Sequence, residues 1–151
     1  MSRRDARRHA LHIIFQFPFF QMDSEILAQA KAGYLDGLKE LPGMETLKPP
    51  KGKNAEYVNR ATYGVMDRKD EIDGVIEKFL RDWDITRINK VDLAIMRLAI
   101  YEMLCEQDVP LGAAVNEAVE LAKEYGADES PAFINGVLGN VARSIKESKH
   151  D

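Results

Sequence analysis

The sequence predicts an all-α protein, and three observations carry that expectation. Apolar residues recur with helical spacing along nearly the whole chain, no segment alternates apolar and polar residues over a useful length, and strong helix punctuation separates the periodic stretches. With 151 residues, 45% of them hydrophobic and 30% charged, the composition is that of a soluble globular protein large enough for one core. A single helical domain over 1–151 is expected, with an arginine-rich arm at 1–9, an exposed loop at 42–53 and a polar tail at 146–151. Each half of the chain has the content of a small helical bundle.

In chain order, Ala6, Ala10, Ile13, Ile14 and Phe17 form one stripe of a first helix. Ser2 with Asp5 three residues on resembles a capping box, and Pro18 stops or bends the helix. Ser24 is the expected cap of a second helix, with stripe Leu27, Ala30, Tyr34, Leu38 and Leu41. Residues 42–53 hold three prolines and two glycines and are expected to form the exposed loop. Asn54 is placed to cap a third helix carrying Val58, Ala61 and Val65, and Ile72, Val75, Ile76 and Phe79 mark a fourth.

From Val91 to Cys105, 12 of 15 residues are apolar and they surround the helix, the pattern of a buried central element. Its exceptions, Asp92, Arg97 and Glu102, are spaced by five. Five residues turn a helix by about 140° beyond one revolution, so these charges share no polar face and each needs its own partner or its own exit to water. Pro110 ends the segment. Val115, Ala118, Val119, Ala122 and Tyr125 mark the next helix, with Gly126 as its C′ residue. Ser130-Pro131 starts a last helix packed through Ile134, Val137, Leu138, Val141 and Ile145, inside which Gly136 and Gly139 suggest close helix packing or a local weakness.

Several classes of function are disfavoured. The lone Cys105 forms no intrachain disulfide and no cysteine metal site. The opening Met-Ser-Arg-Arg lacks the apolar stretch of a signal peptide, and the longest apolar run is too short and too charged to span a bilayer, so a cytoplasmic protein is expected. His9, His12 and His150 have no nucleophile or metal-ligand spacing around them, and no glycine-rich phosphate loop is present, so neither catalysis nor a cofactor is expected.

The charge distribution is more telling. The chain is acidic, 21 Lys+Arg against 25 Asp+Glu, yet four arginines fall within the first nine residues. They crowd the first turns of a helix, where the positive end of the macrodipole disfavours them, so an anionic partner is expected. Arg4, Arg8 and His12 share a face, Arg3 and Arg7 flank it, and Gln16 lies one turn on. Guanidinium groups suit phosphate, and the neighbouring Phe15, Phe17, Phe19 and Phe20 offer stacking surfaces, a combination suited to RNA. The same residues also suit a solvated helix face beside core aromatics.

The C-terminal half is more specific. Val91–Met103, Val115–Gly126, Ser130 and Phe133–Leu138 resemble the NusB family of transcription antitermination factors, and Arg3-Arg4-x-Ala6-Arg7 with Ala10 and Phe15-Gln16 resembles that family's arginine-rich start. The resemblance implies an all-α fold of two packed three-helix halves, about seven helices in all. It implies binding of boxA-type ribosomal leader RNA together with the ribosomal protein NusE, entry into the RNA polymerase antitermination complex, and no catalysed reaction. By position it assigns RNA binding to Arg3, Arg4, Arg7 and Arg8, joined by His12, Gln16, Lys123, Tyr125 and Phe133. It assigns partner contacts to Phe15, where the family has tyrosine, and to Asp92, where glutamate is common. Asn116, Glu117, Asn135 and Gly136 are expected to be structural. An alternative is a helical RNA-targeting or adaptor domain serving a separate RNA methyltransferase or protein complex, since a chain ending at Asp151 has no room for a catalytic domain of its own.

Overall fold

The computed structural model describes residues 2–19, 21–38, 47–81 and 84–150. Phe20, Leu41, the 42–46 part of the expected loop and Asp151 lie outside the described residues. Seven α-helices run through those residues, with no strand: α1 (Arg3–Ile14), α2 (Ser24–Asp36), α3 (Lys53–Asp67), α4 (Lys69–Phe79), α5 (Lys90–Cys105), α6 (Leu111–Tyr125) and α7 (Ser130–His150). The backbone groups into two compact units, Met1–Asp67 with α1 to α3 and Arg68–Asp151 with α4 to α7. None of the helices is long and apolar enough to cross a membrane, and no described group of side chains has the make-up of a metal site.

In the first unit α1 packs on α3 and, less extensively, on α2. The expected stripe Ala6, Ala10, Ile13, Ile14 and Phe17 is buried throughout, meeting Tyr57, Val58, Ala61 and Val65 of α3 in one core. Ser2 caps α1 by accepting the Asp5 N–H, and the helix gives way to a 3-10 turn at Phe17–Phe19 around Pro18. Two expected caps shift by a residue or two. Asp23, not Ser24, caps α2 by accepting the Ile26 N–H at 2.8 Å. The entry to α3 is Gly52, whose φ of 64° suits glycine and whose carbonyl accepts from Glu56 N–H at 3.1 Å, so Asn54 lies inside the helix.

One contact ties three segments of this unit together. His9 is fully buried; its Nε2 lies 2.9 Å from the Lys48 carbonyl and its Nδ1 lies 2.7 Å from the Tyr34 hydroxyl. A carbonyl only accepts, so Nε2 carries the proton and Nδ1 accepts from the tyrosine O–H. The loop preceding α3 is thereby pinned to α1 and α2. Burial pushes the His9 pKa down, against the opposing pull of the Lys48 carbonyl and the Asp5 charge.

In the second unit α5 is the centre, packed by α4, α6 and α7, with α6 and α7 forming an antiparallel pair. As its composition requires, α5 is buried on all faces, including Asp92, Arg97 and Glu102. Arg97 answers its burial with a bidentate pair to Asp73 of α4, Nε at 2.8 Å and Nη2 at 2.9 Å. Tyr101 donates to buried Glu106 at 2.8 Å. Cys105 is half-buried, and burial raises its thiol pKa.

The α6–α7 corner corrects two expectations. Gly126 is not left-handed: its φ of −91° and ψ of −176° are open to any residue. Glycine is required there because a Cβ would lie 2.6 Å from Ser130 Cβ and 2.8 Å from the Ala122 carbonyl oxygen. Ser130 does not cap α7 forward; its hydroxyl turns back to accept the Ala127 N–H at 3.0 Å, while the Glu129 carbonyl accepts from Phe133 N–H. Nor do the glycines of α7 serve close packing. A Cβ on Gly136 would meet nothing within 4 Å, and one on Gly139 only Arg143 at 3.9 Å. Helix α7 continues to His150, through most of the expected polar tail.

These contacts set the direction of three measurements. Gly126→Ala is expected to cost about 1–3 kcal/mol through overpacking, whereas Gly136→Ala, in an exposed helix interior, is expected to gain up to about 1 kcal/mol; thermal melts of the two variants should move in opposite directions. His9 titrates near 6.5 when unfolded and lower when folded. The unfolded chain therefore binds more protons between those values, and the contribution of neutral His9, complete above pH 6.5, fades as pH falls through the folded pKa. Urea denaturation at pH 7 and pH 5 should show a larger loss of stability for the parent chain than for His9→Gln.

Candidate nucleic-acid interface

The residues singled out by charge all sit on α1, and the helix sorts them by depth. Arg4 is exposed, Arg3 and Arg8 are half-buried, and Arg7 is 7% exposed. Arg7 stands at i, i+4, i+7 with buried Leu11 and Ile14, so it belongs to the inner edge of the helix. That spacing was available in the sequence as a sign that this one arginine faces inward. Asp5 favours the positive helix end and pairs with Arg8 one turn on. The Arg3 guanidinium lies 4.7 Å over the Tyr57 ring of α3. The cationic face is therefore held in place by internal contacts on its flanks, with Arg4 at its most exposed point.

One to two turns further along, α1 and α2 enclose a cavity of about 520 Å³. His12, Phe15 and Gln16 line it from α1 and Gln29, Gly33 and Tyr34 from α2. The His12 ring stacks on Tyr34, 5.7 Å between centroids and 18° between planes. Phe15 meets Phe19 edge-on at 5.7 Å, and Phe19, 56% exposed, is the large apolar side chain most open to solvent among the described residues. Phe17 is core. The sequence thus marked a continuous strip on this unit: guanidinium groups first, then a polar and aromatic groove.

The second unit carries the other candidates. Lys123 is exposed and reaches Glu120 at 3.2 Å, one turn back on α6, while Tyr125 is half-buried at the same helix's end. Asn116 and Asn135 are exposed, as is Gly136, so the structural role expected for them as interhelical contacts is not met; Glu117 is half-buried. Asp92 and Phe133 come together in a cavity of about 240 Å³, lined also by Arg87, Ile88, Asn89 and Glu129. Asn89 caps α5 by accepting the Asp92 N–H at 2.8 Å, and its amide donates to Asp92 Oδ2 at 3.1 Å. Asp92 is 4% exposed and its Oδ1 has no hydrogen-bond partner. Sequence reading missed Asn89 and Arg87. The Asn89-x-x-Asp92 spacing, a cap residue with an acid at the third helical position, would have found the first; nothing local marked the second.

Comparison with known proteins gives a consistent result. A family model described as the NusB family matches residues 4–143. The transcription antitermination protein NusB of Acetivibrio thermocellus is 41% identical over 143 residues, covering 95% of this chain and 90% of that protein. Its counterpart in Bacillus pumilus is 37% identical over 147 residues, covering 97% and 99%. The solved NusB of T. maritima superposes with a TM-score of 0.78 at 32% identity, covering 95% of this chain and 92% of the other. A chain from the crystal structure of antitermination factors NusB and NusE in complex with dsRNA has the same fold, with a TM-score of 0.76 at 21% identity and coverage of 94% and 96%.

Proposed function

Because the chain belongs to the NusB family, we propose that it acts in transcription antitermination by binding boxA-type RNA together with the ribosomal protein NusE, as part of the RNA polymerase antitermination complex. The observation that carries this reading is the guanidinium-bearing face of α1 on a chain that matches the family from residue 4 to residue 143. The match crosses both compact units and supports treating them as one functional domain.

In this reading Arg3, Arg4 and Arg8 meet backbone phosphates, and Arg7, set deeper, supports the face from behind. His12 and Gln16 continue the strip into the α1–α2 groove, where they offer hydrogen bonds to nucleotides. Lys123, Tyr125 and Phe133 are the RNA contacts of the second unit. Phe15, without a hydroxyl, gives NusE an apolar contact, and Asp92 offers one carboxylate oxygen. The protein acts by binding alone and works in the cytoplasm; the raised thiol pKa of Cys105 supports the first point, since a protonated thiol is a poor nucleophile.

Titration of labelled boxA-type RNA with and without NusE tests this. Binding should be weak and salt-sensitive for the chain alone and tighter with NusE. Arg4→Ala should reduce the slope of log K against log salt by roughly 0.7 with the fold intact, and an unchanged slope would remove Arg4 from phosphate binding. Arg7→Ala is expected instead to lower the melting temperature, as truncation of a buried side chain does.

A further inference from the structure

The cavity between Phe133 and Asp92 contains something the fold does not explain. Buried carboxylate oxygens normally have a donor, and leaving one without it costs more than a typical hydrogen bond gains. Asp92 Oδ2 has the Asn89 amide, whereas Oδ1 is partnerless and lines the cavity of about 240 Å³. A missing donor is therefore the ligand feature this site selects.

The other walls narrow the choice. Glu129 adds a second carboxylate, against one guanidinium from Arg87, so a phosphate group would be repelled from the interior. Arg87 disfavours a second cation, so a basic side chain is also a poor occupant. Phe133 supplies an aromatic ring and Ile88 a buried apolar contact, the surfaces on which a nucleobase stacks. Among the four bases of RNA, guanine has two adjacent donors, N1–H and the N2 amine, on its Watson–Crick edge. Adenine and cytosine place an acceptor beside their single amino group, and uracil flanks its N–H with two acceptors; a carboxylate repels each of those acceptors.

Resting on the RNA-binding reading above, we infer that this cavity receives a single unstacked guanine, its donor edge on Asp92 and its ring against Phe133. Arg87, exposed at the wall, is placed for the phosphate that follows the base outward. Base preference then resides in α5 and α7, apart from the charge-driven affinity of α1.

The test uses the full chain saturated with NusE and labelled uridine oligomers carrying one central guanosine, inosine or adenosine. The guanosine oligomer should bind about tenfold more tightly than the adenosine one, the effect of one charge-assisted hydrogen bond, with inosine, which lacks the N2 amine, in between. Asp92→Asn should abolish the preference while leaving binding to plain uridine oligomers unchanged, and Phe133→Ala should weaken guanosine binding selectively. Equal affinity for the three oligomers, or a preference that survives Asp92→Asn, overturns the inference and leaves RNA binding by α1 standing. Asp92→Asn weakening the protein complex with no change in base preference would place a basic side chain of NusE in the cavity and also overturn it. Failure of every oligomer to bind would overturn both readings.

Discussion

A helix surrounded by protein on every side must find an internal answer to each charge it carries, and the second unit is arranged around that demand. Helix α5 brings Asp92, Arg97 and Glu102 into the core at angles that share no polar face. Arg97 is 5% exposed and could not be left unpaired there. Asp73 meets it with both carboxylate oxygens, and this pair fixes the register of α4 against α5 as apolar contacts alone would not, because the guanidinium fork tolerates little rotation. Lys69, 3.5 Å from the same carboxylate, adds a partly solvated cation to the group. Asp92 lies at the opposite end of this logic. Its backbone and one oxygen are satisfied by Asn89, and the remaining oxygen is the one charge on the helix whose answer must come from outside.

The first unit solves a different electrostatic problem. Arginines at the start of a helix oppose the macrodipole, and α1 carries four of them. Ser2 and Asp5 offset part of that cost at the helix entrance, Asp5 engages Arg8, and Tyr57 lies beneath Arg3. These contacts restrict long side chains that would otherwise lose rotamer freedom on meeting a polyanion, so less entropy remains to be lost on binding. They also place the cations at defined depths, which a charge count over the arm does not describe.

The helices were legible because burial imposes a period, and period survives in sequence. All five residues of the α1 stripe are buried, and the apolar run of α5 correctly marked the centre of its unit. Caps were less legible because serine, aspartate, asparagine and glycine all suit a helix start. Asp23 and Ser24 are adjacent and chemically equivalent for the purpose, and only the backbone conformation at 23 decides between them. Gly126 was correctly placed at a helix end for the wrong reason: closeness to Ser130 is a tertiary fact, invisible in either residue alone. The same holds for the candidate site. The arginine face is local and could be read from spacing of four, whereas Asp92 and Phe133 sit on different helices and were assigned to different partners. Their meeting in one cavity depends on how α5 and α7 pack, which no short motif records.

The His9 clasp has a consequence for divergence among relatives. Histidine and tyrosine contribute side chains to it, but the loop contributes a peptide carbonyl, from Lys48. Every amino acid supplies that group, proline included. Selection acting on the clasp therefore constrains positions 9 and 34 while leaving the identity at 48 free, so a strap with no sequence in common with this one can be fastened in the same way.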